Sequence, residues 1–182
     1  MDVRDRILDA ALDLLSNGGA QELTQPRVAR AAGVRQSHLT YYFPTRAELL
    51  QAVAYRSIDA LAGSLLHAAR RGKLGPDALA GALARAITDK RRTRTLLALV
   101  STADRDPAVR RRLRRFIRQV RSRLAVVIAA AEGPADADSI AFLHNLVVGA
   151  AVLQLARDTG AARREARTVL RRGVATLAGK GN

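Results

Sequence analysis

Residues 24–50 read TQPRVARAAGVRQSHLTYYFPTRAELL, a run of helix-forming segments broken first by a glycine and then by a proline. Thr24 can cap a helix that tolerates Pro26 near its start, and Val28, Ala29, Ala31 and Ala32 give that helix a compact patch of small apolar residues. Small side chains permit close crossing by a second helix. Gly33 falls where the chain must leave the first helix, because glycine enters the left-handed region without steric penalty. Val34 is then placed to plug the gap. In residues 36–43, Leu39 and Phe43 lie four apart and face inward together. Gln36, Ser37, His38, Thr40, Tyr41 and Tyr42 are left facing outward, a set of amide, hydroxyl, imidazole and phenol groups suited to base edges and phosphates. Two short helices angled by one glycine are a recurring way to lay a helix in the DNA major groove. Thr45-Arg46-Ala47-Glu48 has the form of a capping box, with Leu49 and Leu50 opening the next apolar stripe.

The order helix, Thr24, Val-Ala-x-Ala-Ala-Gly-Val, seven intervening residues, Tyr42-Phe43, Pro44-Thr45-Arg46 and capping box resembles the DNA-binding domain of the TetR family of transcriptional repressors. The likeness spans about the first quarter of the chain. It implies an all-α fold with a helix-turn-helix DNA-binding domain in residues 1–47 and a larger helical effector-binding and dimerisation domain in 48–182. It also implies that Gln36, Ser37 and His38 lie nearest the bases, that Thr24, Tyr41, Tyr42 and Arg46 meet phosphates, and that Arg27, Arg35 and Thr40 complete the DNA-contacting set. Thr40 stands where the family usually has a tyrosine. Arg35 replaces a small N-cap residue, which adds a basic contact and gives up a cap worth about 1 kcal/mol. Arg46 stands where lysine is usual, keeping the charge and allowing a bidentate phosphate contact.

The composition fits a globular protein: 182 residues, 48% hydrophobic, no cysteine. Without cysteine there is no disulfide or thiolate metal site, which suits a reducing compartment. No signal-peptide start and no charge-free stretch of about twenty apolar residues is read, so the expected location is cytoplasmic with no membrane partner. The net charge of +15 is unevenly placed. Residues 1–47 hold six arginines against five acids, whereas the remainder holds 25 Lys/Arg against 11 acids, concentrated in residues 90–123. The motif that should read DNA is therefore nearly neutral, and the positive field that steers a polyanion comes from elsewhere.

Apolar periodicity predicts a first helix over about residues 3–16, stopped by Asn17-Gly18-Gly19, and a long fourth helix over 46–70 ending near Gly72. A helix leaving the DNA-binding unit without a flexible linker acts as a lever. Further helices are expected over 76–89, 92–102 and 107–131. The last of these has Val109, Leu113, Phe116, Ile117, Val120 and Leu124 on one side and Arg110, Arg111, Arg112, Arg114, Arg115, Arg118, Arg121 and Arg123 on the other. A helix capped by Asp138 or Ser139 runs to Arg157, apolar almost all round, so burial on every side is expected. A final helix covers 162–177. The penultimate helix exceeds what one subunit can cover, and the simplest solution is a homodimer whose last two helices form a four-helix bundle, Gly149, Ala150 and Ala151 allowing close approach. The interface is assigned to Leu146, Val147, Ala150, Ala151, Gln154, Val169, Leu170 and Val174.

His38, His67 and His144 are not spaced as metal ligands, and there is no nucleophile elbow or phosphate-binding glycine loop, so the chain is not read as an enzyme and no cofactor or metal is expected. The family resemblance implies an effector pocket among the central helices, with Leu61, Leu65, Leu99, Phe116, Phe142, His144 and Asn145 as candidate lining. Few acids are available inside, which points to an apolar or anionic effector. The combined reading is a dimeric repressor that binds a palindromic double-stranded operator and is released by a small molecule. The alternative is a nucleic-acid-binding protein of broader specificity that also uses the Arg-rich segment 107–123.

Overall fold

Helix ends fall close to the cap and breaker signals in the computed structural model, which describes residues 2–18 and 22–179. The helices are α1 (Val3–Gly18), α2 (Gln25–Ala31), α3 (Gln36–Tyr42), α4 (Arg46–Arg70), α5 (Pro76–Thr88), α6 (Lys90–Arg105), α7 (Pro107–Ala130), α8 (Ala137–Arg157) and α9 (Gly160–Ala178). No strand occurs among the described residues, and the all-α expectation holds. The expected stop at Gly19 lies outside the described residues.

α2 ends in a Schellman motif: Gly33 has φ 64°, its N–H donates to the Arg30 carbonyl at 3.2 Å, and the Val34 N–H reaches back to the Ala29 carbonyl at 3.0 Å. That reversal sets the angle between α2 and α3. α4 closes in the same way through Gly72. At the end of α7 the left-handed position is held by Glu132, with φ 58°, and the Gly133 N–H bonds to the Ile128 carbonyl. The break placed between Asp104 and Pro107 is narrower than expected. α6 continues to Arg105, and only Asp106 interrupts, its carboxylate accepting from the Ala108 and Val109 N–H groups at 2.7 and 3.3 Å.

Packing divides the chain into two compact units, one comprising residues up to Ser57 together with Arg94–Phe116, the other Ile58–Thr93 together with residues from Ile117 onward. In the first, α1, α2 and α3 contact one another around Ile7, Leu8, Leu15, Leu23, Val28, Leu39 and Phe43, all buried. In the second, α5, α8 and α9 pack together around Leu79, Leu83, Ile87, Leu143, Leu170 and Val174. The sequence division at residue 47 concerns function; packing places the start of α4 and the 94–116 segment with the helix-turn-helix.

α8 corrects three expectations. Its cap is Asp136, whose carboxylate accepts from the N–H groups of Asp138 and Ser139 at 3.1 and 2.9 Å; Asp138 and Ser139 themselves lie inside the helix. Residues 139–156 contain no Asp, Glu, Lys or Arg, so α8 is long and apolar enough to cross a membrane by length and composition, contrary to the sequence reading. The helix is also not buried all round. Ile140, Leu143, Ala151 and Gln154 face the core, while Phe142 and Leu153 remain 45% and 59% exposed. Gly149 is exposed with open space about it, so it makes no close crossing within the subunit. The close crossing is made by Gly173 of α9, where any Cβ would overlap the Leu146 side chain.

Candidate nucleic-acid interface

α3 is seven residues long, and its N-cap position is held by Arg35, which offers no side-chain cap, as the sequence implied. Of residues 35–42 only Leu39 is buried, which anchors the helix and leaves Arg35, Gln36, Ser37, His38, Thr40, Tyr41 and Tyr42 at the surface. Tyr41 is 81% exposed, and its ring meets Tyr42 edge to face at 5.3 Å between centroids. The Thr40 hydroxyl donates to the Gln36 carbonyl at 2.9 Å, so it serves its own helix first.

The frame around α3 comes largely from contacts that sequence spacing does not signal. Gln25 donates from Nε2 to the carbonyls of Phe43 and Pro44, both at 3.1 Å, tying the start of α2 to the end of α3. Those acceptors lie 18 and 19 residues away, beyond the reach of any local pattern. Phe43 is covered by the guanidinium of Arg4, 5.7 Å from the ring centroid. Thr45 and Glu48 form the expected reciprocal box, the Thr45 N–H donating to Glu48 Oε2 at 3.1 Å and the Glu48 N–H to Thr45 Oγ1 at 3.2 Å.

Two assigned DNA contacts, Arg27 and Arg46, are engaged within the chain, and Thr24 does not make the cap expected of it. Thr24 stands at the N-cap of α2 without a side-chain cap bond, so its exposed hydroxyl is not used inside the helix. Arg27 pairs with Glu22. Arg46 donates from Nε to the Leu23 carbonyl at 2.8 Å, which commits one edge of the fork expected to clamp a phosphate. That bond holds the residue just before Thr24 to the start of α4.

The candidate pocket residues fall in both compact units. Leu99 and Phe116 are buried in the first unit, where Phe116 meets the Tyr55 ring edge-on at 4.8 Å. Leu65 is core in the second unit, Leu61 packs against that core, and Phe142 and Asn145 are exposed on α8. His144 accepts at Nδ1 from Arg121 Nε at 3.2 Å. Burial first and the Arg121 charge second hold its pKa below the ordinary histidine value, so the ring stays neutral and the bond persists. A cavity of about 20 Å³ does lie in the second unit, lined by Pro76, Leu79, Ile128, Ala131, Gly133, Leu143, Val174, Leu177 and Ala178. It has room for roughly one water, and none of the seven candidates lines it.

Four of the eight residues assigned to the dimer interface, Ala151, Gln154, Leu170 and Val174, are buried in the subunit's own interior. Leu146, Val147 and Ala150 are half-buried against that core, and Val169 is exposed. The exposed apolar stripe of α8 instead passes through Phe142, Gly149 and Leu153, with Asn145 between them. Period alone could not choose this face, because apolar residues surround the helix. On α7, Arg110 donates to the carbonyls of Ala103 and Asp104, Arg112 pairs with Glu48, and Arg123 pairs with Asp59. With Arg121 on His144, half of the arginine face is engaged within the chain.

The family model for bacterial regulatory proteins of the tetR family matches residues 7–53, and a tetracyclin repressor-like C-terminal domain model matches residues 74–176. An HTH-type transcriptional regulator, BetI, of Rhizobium meliloti (strain 1021) is 33% identical over 146 residues, covering 76% of this chain and 70% of its own. The crystal structure of a transcriptional regulator from Rhodococcus sp. Rha1 superposes with a TM-score of 0.73 at 20% identity, covering 97% of this chain and 96% of that one. The multidrug binding protein EbrR complexed with ethidium is 27% identical with a TM-score of 0.66, covering 94% of this chain and 98% of its own.

Proposed function

Because the chain belongs to the TetR family, and is therefore a DNA-binding transcriptional regulator and not an enzyme, we propose that it is a repressor that binds a palindromic operator as a homodimer and leaves it when a small molecule binds. The observation that carries this reading is α3, where seven of the eight residues from Arg35 to Tyr42 are exposed and only Leu39 is buried. Gln36, Ser37 and His38 read base edges. Thr24, Arg35, Tyr41 and Tyr42 meet backbone phosphates, with Arg46 beside them. Arg27 reaches DNA only by exchanging Glu22 for a phosphate.

Dimerisation uses the face that the subunit leaves uncovered, Phe142, Gly149 and Leu153 of α8 with Val169 of α9. A two-fold dimer would present two copies of α3 to successive major grooves roughly 34–36 Å apart. The effector is apolar or anionic. Among the described residues no carboxylate is buried, and the buried polar side chains are Thr93, Thr95, Ser139 and Gln154. A cation such as the ethidium held by EbrR would lack a buried counter-charge here.

Selection of duplexes from a random library by the full-length protein tests this reading. A palindrome should emerge. Gln36→Ala or His38→Ala should cost about 1–3 kcal/mol at one base pair of each half-site and relax the preference there. Equal binding of selected and scrambled duplexes at every salt concentration would remove the reading.

A further inference from the structure

We infer that Arg112 and Phe116, in the first turns of α7, are positioning residues for DNA binding that act through Glu48 and Tyr55 of α4. The inference rests on the regulator reading above and extends it to side chains outside the groove-facing set.

One carboxylate does two jobs. Glu48 Oε2 closes the capping box on the Thr45 N–H, while Oε1 accepts from Arg112 Nη2 at 2.5 Å. The next residue in the box, Arg46, holds the Leu23 carbonyl at 2.8 Å, immediately before α2. Arg112 is thus linked through Glu48, Thr45 and Arg46 to the entrance of the helix-turn-helix. Two turns along α4 a second contact repeats the arrangement: the Tyr55 ring lies edge-on to Phe116, 4.8 Å between centroids at 74°, and Gln51 Nε2 holds the Tyr55 oxygen at 3.3 Å. Arg56 pairs with Asp5 and Asp9 of α1 at 2.5 and 3.0 Å. The first turns of α4 are therefore held by α1 and by α7.

The corner from which Arg112 reaches is itself braced, since Arg110 satisfies the terminal carbonyls of Ala103 and Asp104 at 3.0 and 2.7 Å. α7 continues as one helix to Ala130, and its residues from Ile117 belong to the second compact unit. Through Glu48 and Tyr55, α7 contacts the first turns of α4, the part of α4 nearest the helix-turn-helix. Side-chain exposures of 31% and 29% for Arg112 and Glu48 mean that the pair adds little to global stability, so its removal should leave the fold intact.

The test measures binding of the duplex selected by the wild-type protein, by fluorescence anisotropy across a salt series, for Arg112→Met, Glu48→Gln, their combination, Phe116→Leu and Arg112→Lys. Glutamine preserves the capping box, so Glu48→Gln removes the ion pair alone. Arg112→Met, Glu48→Gln and Phe116→Leu should each raise Kd roughly 3- to 10-fold, the double variant no more than the worse single, and Arg112→Lys should recover most of the loss. The salt slope should stay constant and thermal midpoints should not follow the Kd values. Should Arg112→Met fail to fold, Glu48→Gln alone carries the test. Unchanged Kd values would overturn the inference, as would a salt slope reduced by about one charge in Arg112→Met, which would make Arg112 a phosphate contact. Failure of the wild type to select any sequence would sink the regulator reading and this inference together.

Discussion

α3 and α8 both expose side chains that packing within one subunit does not require, but the chemistry of the two surfaces differs. α3 presents Gln36, Ser37, His38 and two tyrosines, groups that donate and accept hydrogen bonds and lose little by standing in water. α8 presents Phe142 and Leu153, which gain nothing from water and, being about half exposed, would contribute about 1 kcal/mol each on complete burial. The first surface is matched to a wet, charged polymer and the second to another apolar protein face. On the proposed reading both are needed, because the reading surface is small and residues 1–47 are nearly neutral, so that two joined copies bind more firmly than one.

The sharpest way to break this contrast is Leu153→Asp. The site is exposed in the subunit, so the fold should survive, whereas a dimer would have to bury the charge at a cost of about 3 kcal/mol or more, roughly 100-fold in dimer dissociation constant. Sedimentation at several concentrations reads this directly, and an unchanged dimer moves the interface off α8. Ala151→Asp is the instructive control, since Ala151 lies in the subunit's own core and the same charge there should unfold the subunit. Gly173→Ala comes next. The methyl overlaps Leu146 at the α8–α9 crossing and should cost about 1–3 kcal/mol in thermal or denaturant unfolding, without altering base preference. A neutral result would mean that the Leu146 side chain turns aside at no cost.

The smallest effect concerns the entrance to α8. Hydrogen bonding to the Ser139 side chain and backbone N–H holds the Asp136 carboxyl below the ordinary aspartate value of 3.8. A depressed folded-state pKa contributes stability that is fully present above the unfolded value and is lost as pH falls through the folded one. Asp136→Asn keeps a capping oxygen but removes the titration, so the wild type should exceed the variant near about pH 6 and approach it near about pH 2.5. A constant difference in thermal midpoint across that range would show that the cap, not its charge, is what matters.

Much of the first unit was legible along the chain. Gly33, the Thr45 and Glu48 box, the inward Leu39 and Phe43 and the outward residues of α3 are set by interactions within a few positions, the range over which capping and periodicity operate. Thr24 shows the limit of that reasoning, because a residue type suited to capping stands at the N-cap without making the bond. Gln25 and Arg46 went unread as braces because their carbonyl acceptors lie 18 to 23 residues away. In the second unit local signals found the helices but misplaced their faces. α8 is apolar on every side, so its hydrophobic pattern has no direction, and Leu170 and Val174 were given to a partner when their own subunit already encloses them.

The residue types along the chain decided that it is helical, where most helices begin and end, and which short helix presents base-reading chemistry. These are outcomes of dihedral preference, capping and period, which act over one or two turns. Tertiary packing decided that the 94–116 segment joins the helix-turn-helix unit, that Arg112 shares the capping carboxylate of α4, and which stripe of α8 stays uncovered. Those choices depend on surfaces meeting across long stretches of sequence, where the free energy comes from burial and from pairing distant charges, and no local pattern encodes either.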